Sequence, residues 1–410
     1  MVKLKAISLF TGVGGLDFGF EAAGFETRVA LDFDPIACAT VRLNRNWPVL
    51  EGPIAAISSE TILATADLRP GEADILIGGP PCQPFSKSGY WARGDSRRLS
   101  DPRADTLVQY LRVLRDTCPK TFLLENVPGL AYRGKSEGIE TLQAGIEEIN
   151  RDLGTRYALE CRALNAVDYG VPQLRERVFI VGSRDGRSFR FPSPTHFRSG
   201  SVEALAGKNR HRTAWDAFAD LDSIKDKSAL RVKGKWADLL PSIPEGQNYL
   251  WHTDRGGGAA LFGWRRRYWN FLLKLAKDKP SWTIQAQPGP ATGPFHWENR
   301  RLSKEELCRL QTFPDGLRFN CNYAEIQKMV GNAVPSALAE SLAREVAAQF
   351  FGINGALGMS TLAPSAQEAF PPPERRLPVA KKFLHLAHSD SAHPGTGLGR
   401  GAVYREREAA

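Results

Sequence analysis

From Ala6 to Ser183 the chain repeats one unit: a short apolar, β-branched run, a turn, then a stretch with helical spacing. The runs are "AISLF" (Ala6 to Phe10), "TRVAL" (Thr27 to Leu31), "DILIGG" (Asp74 to Gly79), "TFLLEN" (Thr121 to Asn126) and "VFIVGS" (Val178 to Ser183). Near-continuous apolar runs fit strands covered on both faces, and strands separated by helices pair mostly in parallel. The expected fold class is therefore α/β, a mostly parallel sheet with flanking helices. Open sheets of this kind bind ligands beyond the carboxyl ends of their strands, which makes the residues just after each run the candidates for chemistry.

"SLFTGVGGLDFGF" (Ser8 to Phe20) reads as strand, glycine turn and helix, with Gly12, Gly14 and Gly15 letting backbone approach a ligand. The dinucleotide fingerprint G-x-G-x-x-G is not met, because Asp17 stands at its third glycine. Asp32 ends the second run, where a carboxylate commonly takes ribose hydroxyls; Asp34, directly before Pro35, fits a helix cap. An adenosine-type cofactor is expected.

"GGPPCQPFS" (Gly78 to Ser86) puts Cys82 behind two prolines at the sheet edge. A single cysteine is usually an inert buried one. A free thiol ionises near 8.5, so a nucleophilic one needs positive neighbours or a helix N-terminus. "ENV" (Glu125 to Val127) ends another run, "QLRER" (Gln173 to Arg177) precedes the next, and "GNAVP" (Gly331 to Pro335) precedes the last helix. In that helix Leu338, Leu342, Val346 and Phe350 recur at every fourth position, and Gly352 supplies a stop. The six cysteines form no C-x-x-C pair, so neither a disulfide framework nor a structural metal is expected.

The formal net charge is +9, and the segment from Arg190 to Pro280 holds 17 Lys and Arg against 9 Asp and Glu. Such concentration points to an anionic partner. Periodicity fades there, and "GWRRRYWN" (Gly263 to Asn270) reads as a basic surface, with Trp264, Tyr268 and Trp269 expected in the core of a small domain. The residues divide into 1–189 (catalytic and cofactor-binding), 190–280 (a smaller domain), 281–352 (return to the first domain) and 353–410 (a disordered tail rich in Ala, Pro and Gly). No apolar run is long enough for a membrane span, so a cytoplasmic protein is expected.

Taken in order, "F-x-G-x-G-G" (Phe10 to Gly15), "GGPPCQ-x-FS", "ENV", "Q-x-R-x-R" and "GNAVP" resemble the motifs of the cytosine-C5 DNA methyltransferases of the prokaryotic restriction-modification type. The resemblance implies a Rossmann-like methyltransferase fold with a target-recognition domain at 190–280. It implies S-adenosyl-L-methionine as cofactor and transfer to C5 of a cytosine flipped from double-stranded DNA. Cys82 would be the nucleophile on C6, Glu125 would serve N3, Arg177 would hold O2 with Arg175 in support, and Asn126 completes the catalytic set. Phe10 would stack on adenine, Gly12, Gly14 and Gly15 would border the methionine moiety, Asp32 would hold the ribose, and Pro81, Leu107 and Asn332 would close the pocket. After the third strand, where the family often has an acidic residue, the chain has Pro53, leaving the Ile54 backbone against the ring. The stretch Ser86 to Asp105 would close as a lid, with Ser86, Ser88, Arg265, Arg266 and Arg267 facing DNA. A monomer is expected, with a restriction endonuclease of the same site as counterpart. Alternatives are a tRNA cytosine-5 methyltransferase, a non-catalytic DNA-binding relative and, third, an NAD-dependent oxidoreductase.

Overall fold

The computed structural model describes residues 3–81, 105–128, 137–221, 227–254, 256–262, 269–353 and 360–388. Its strands are β1 Leu4–Leu9, β2 Phe25–Asp32, β3 Val49–Glu51, β4 Ile75–Gly78, β5 Thr121–Asn126, β6 Ala158–Asn165, β7 Gln173–Leu174, β8 Glu176–Ser183, β9 His196–Phe197, β10 Asn209–Arg210 and β11 Ser281–Trp282. The helices are α1 Gly15–Ala22, α2 Pro35–Asn44, α3 Ser59–Ala66, α4 Asp105–Thr117, α5 Glu137–Leu153, α6 Val202–Leu205, α7 Ala214–Phe218, α8 Lys304–Leu310, α9 Tyr323–Asn332 and α10 Ser336–Phe351.

The main sheet runs β3-β2-β1-β4-β5-β8-β6. β3, β2, β1, β4 and β5 are parallel, and β8 lies antiparallel between β5 and β6. Alternate residues of each strand enter opposite cores. Leu76, Phe122, Leu124 and Ile180 join Ile62, Tyr110 and Leu142 from α3, α4 and α5. Ile75, Ile77, Leu123, Phe179 and Val181 join Phe20 of α1 and Leu338, Leu342 and Val346 of α10. That two-sided burial is why the strands read as unbroken apolar runs.

Local signals set the helix ends. The Asp34 side chain accepts the N–H of Ile36 at 3.0 Å, with Pro35 as the first helical residue, so Asp34 is the cap of α2. Gly352 closes α10 at φ 67.

Two expectations need correction. The second core gathers Val232, Leu239, Leu240, Tyr249, Phe262 and Phe271 but also Phe295 and Phe383, and so does not lie within 190–280 alone. Ala214 and Phe218 instead pack with Leu307, Leu310 and Met329, beside the main sheet. The supposed disordered tail is, from 360 to 388, laid along the molecule, because buried carboxylates elsewhere accept its backbone N–H groups. Among the described residues no helix is long and apolar enough to cross a membrane.

Candidate active site

Register brings the motif residues to one sheet edge. Leu9 is level with Gly78, Gly78 with Leu124, and Asn126 with Val178. Because β8 runs antiparallel, its beginning meets the end of β5, which sets Arg177 beside Glu125. Arg177 Nε donates to Glu125 Oε1 at 3.0 Å, and its Nη1 donates to the Glu176 carbonyl at 2.7 Å. Burial pushes the Glu125 carboxyl above its ordinary value, and the Arg177 charge opposes the rise without cancelling it. The other oxygen, Oε2, lies 3.0 Å from where a Cβ on Gly79 would stand, so the Gly78–Pro81 turn passes close against the carboxylate. Cys82 follows that turn directly and lies outside the described residues, as do Ser86, Ser88, Arg265, Arg266 and Arg267. Among the described cysteines, burial pushes the Cys38 thiol up to about 11 and the Cys308 thiol up to about 12, which makes both poor nucleophiles.

Arg175, expected in support of Arg177, also braces the scaffold, and its charge acts on Glu125 in the same direction as that of Arg177. It is 1% exposed, and its Nη2 donates to the Gly331 carbonyl at 2.9 Å. The side chain therefore ties "QLRER" to "GNAVP". Its neighbour Gln173 has a role that the sequence left unassigned. Gln173 Nε2 donates to the Leu310 carbonyl at 3.1 Å, and its Oε1 accepts the N–H of Ile284 at 3.0 Å. Gln311, which sequence reasoning missed, donates through Nε2 to the carbonyls of Val330 and Ala333. A glutamine inside the apolar "RLQTF" is the signal, since a buried amide must find partners. Asn126 is buried, and its Oδ1 accepts the N–H of Val127 at 2.9 Å, which fixes the chain as it leaves β5.

The first-strand loop forms the other half of the edge. Phe10 has φ 54 and Gly12 φ 56, both left-handed, and space is open around the position of a Gly12 Cβ. A left-handed Phe is a strained conformation of the kind that clusters at functional sites. Asp32 is buried, and its two oxygens accept the N–H groups of Gly12 at 2.7 Å and Asp34 at 2.9 Å. Burial raises its carboxyl above the ordinary value. A carboxylate has about four acceptor positions, so hydroxyls could still be received. Phe10, Ile54 and Leu107 share one apolar cluster, although the Ile54 carbonyl is already taken by Arg112 Nη2 at 2.9 Å. Pro81 is half-buried and Asn332 exposed. Gly14 and Gly15 serve packing rather than open space. A Cβ on Gly14 would stand 3.2 Å from Trp47, and one on Gly15 2.4 Å from the Val334 carbonyl.

Trp269 departs from expectation: it is 50% exposed and meets the 38% exposed Trp282 edge-on at 5.3 Å. Trp282 pairs with Leu174, which places this aromatic pair beside "QLRER". Trp264 and Tyr268 lie outside the described residues.

The chain is similar to known proteins over most of its length. The profile of the family "C-5 cytosine-specific DNA methylase" matches residues 4–348. Type II methyltransferase M.SacI of Streptomyces achromogenes is 41% identical over 372 residues, covering 85% of this chain and 93% of its own. Type II methyltransferase M.NgoFVII of Neisseria gonorrhoeae is 33% identical, with 84% and 86% covered. Among solved structures, S. pombe Dnmt2 methyltransferase superposes with a TM-score of 0.56 at 15% identity, over 86% of this chain and all of that one, a likeness of fold.

Proposed function

The chain belongs to the C-5 cytosine-specific DNA methylases, and from that premise we propose that it methylates C5 of one cytosine within a specific duplex sequence, using S-adenosyl-L-methionine. The observation that carries the reading is the Glu125–Arg177 pair held against the glycine turn that leads into Cys82.

Cytosine C5 is a weak nucleophile inside an aromatic ring. In the proposed sequence the Cys82 thiolate adds to C6 while Glu125, its carboxyl raised by burial, gives a proton to N3 and so neutralises the charge that addition creates. Arg177 orients the Glu125 carboxyl and offers its remaining N–H groups to O2. The resulting enamine makes C5 nucleophilic. Bound S-adenosyl-L-methionine supplies the methyl group as an electrophile on sulfonium sulfur. After transfer a base removes the C5 proton, the C6–sulfur bond breaks to return the thiolate and the aromatic ring, and N3 gives its proton back to Glu125. The reacting carbons are stacked within a duplex, so the base must be extruded first.

The cofactor fits the residues present. Open space at Gly12, acceptor capacity on Asp32 and the apolar cluster of Phe10, Ile54 and Leu107 offer room for the methionine part, the ribose and the adenine respectively. Relatives named Type II methyltransferases support a further step: methylation that protects DNA from an endonuclease reading the same site.

The test is trapping. A duplex with 5-fluorocytosine at the target position lets C6 addition and methylation proceed but leaves no C5 proton to remove. A covalent protein–DNA complex should form with the unaltered chain and be absent with Cys82→Ser. Failure to trap on a duplex that is methylated when it carries ordinary cytosine would overturn the mechanism.

A further inference from the structure

Residues 360–388 lie beyond the matched 4–348, yet they are bound at successive points along both halves of the molecule. The first anchor is on the catalytic side. Glu340 of α10 is fully buried, and its carboxylate accepts the Ser360 hydroxyl, the N–H and hydroxyl of Thr361 at 3.0 and 2.8 Å, and the N–H of Leu362 at 3.1 Å. Burial alone would raise this carboxyl, but these donors and Arg344 hold it below its ordinary value. The same helix begins at Ser336, whose hydroxyl donates to the Gly15 carbonyl, so this anchor belongs to the body that carries the glycine loop.

The second anchor is Asp216, fully buried, which accepts the N–H of Gln367 at 2.7 Å beside Arg210 at 2.6 Å. The chain then reaches the second core. Lys277 Nζ joins Glu245 at 2.9 Å, the Pro372 carbonyl at 3.0 Å and Glu374 at 3.0 Å, and Glu245 accepts the Glu374 N–H at 2.7 Å. The Leu377 N–H donates to the Pro241 carbonyl at 3.0 Å. Phe383, 3% exposed, completes the core by stacking on Trp236 at 5.7 Å and 12°.

A segment fastened by buried charges at one end and a buried aromatic at the other limits how the second core can move against the main sheet. We propose that residues 360–388 are a positioning strap, which holds the basic second segment in the orientation at which it reads DNA. The proposal rests on the DNA-methylating function argued above.

The experiment keeps the full chain and changes two strap residues away from the Glu340 and Asp216 anchors, Phe383→Ala with Glu374→Ala. The KM for duplex DNA should rise about fivefold or more while kcat at saturating DNA is unchanged, the pattern of lost binding without lost chemistry. Affinity for S-adenosyl-L-methionine, measured at equilibrium without DNA, should be unaltered, and restoring position 383 with Phe383→Leu beside native Glu374 should recover most of the KM. An unchanged KM, in a variant whose strap limited proteolysis shows to be released, overturns the proposal. So does loss of cofactor affinity together with cooperative unfolding, which would make the segment part of the fold and nothing more. If the unaltered chain binds no duplex, the underlying reading fails and this one with it; if it binds and the variant binds equally, the strap alone fails.

Discussion

In the proposed mechanism Glu125 meets two opposing demands: a group that protonates cytosine must hold its proton near neutrality, yet must be held in place by a cation. Burial supplies the first and Arg177 at 3.0 Å the second, with burial the larger effect. Glu125→Gln keeps an acceptor for Arg177 but cannot release a proton. Single-turnover methyl transfer should fall by about 10²–10⁴-fold with duplex affinity retained, in line with the usual size of general acid contributions. Asp17 offers a second residue-scale test. It is fully buried and accepts the Thr27 and Ser8 hydroxyls at 3.1 Å each, and burial pushes its carboxyl up to about 6. An unfolded Asp releases its proton near 4, so between those limits the folded state binds more protons and stability falls as pH rises. The fall amounts to roughly 3 kcal/mol across the window. Denaturant titrations at pH 4, 5, 6 and 7 should show it in the native chain, and Asp17→Asn should remove this part of the slope.

Packing between elements depends on two glycines of α1. A Cβ on Gly19 would stand 2.5 Å from the Ser336 carbonyl and from Glu340 N, and one on Gly15 2.4 Å from the Val334 carbonyl. These are backbone atoms, which cannot rotate aside. Gly19→Ala should therefore cost about 1–3 kcal/mol through forced separation of α1 and α10, seen as a lower denaturation midpoint. The glycine loop was legible in the sequence, but this reason for Gly15 and for Gly19 within α1 was not, because the partner backbone lies more than 300 residues away. The same logic sorts the strands. β4, β5 and β8 are covered on both faces and announce themselves as apolar runs, whereas β6, "ALECRALN", is an edge strand whose side chains are mostly exposed and leaves no such trace. Glu125 and Arg177 were readable from motif order. The bracing by Arg175, Gln173 and Gln311 was not, since hydrogen bonds between distant segments impose no periodicity.

At the scale of the molecule the controlling feature is the asymmetry of charge. Arg190 to Pro280 carries a surplus of eight positive charges of the +9 total, while the rest of the chain is close to neutral. Part of that surplus is already committed within the fold to acids outside the segment: Lys277 pairs with Glu374 at 3.0 Å and Lys227 with Glu298 at 2.7 Å. Counting charge therefore overstates what is available to phosphates, and the run Arg265, Arg266 and Arg267 becomes the sharper test because it is contiguous in sequence. If each of the three neutralises one phosphate, replacing all three by Gln should lower the magnitude of the slope of log K against log salt by about 2.7, since each contact releases roughly 0.9 of a counterion. Affinity at low salt should fall for cognate and unrelated duplexes alike if these arginines hold the backbone, and preferentially for the cognate duplex if they read base edges. A slope equal to that of the native chain on both duplexes would place the anionic contact elsewhere, and would shift attention to the exposed Trp269–Trp282 pair beside "QLRER" as the point where this chain meets its substrate.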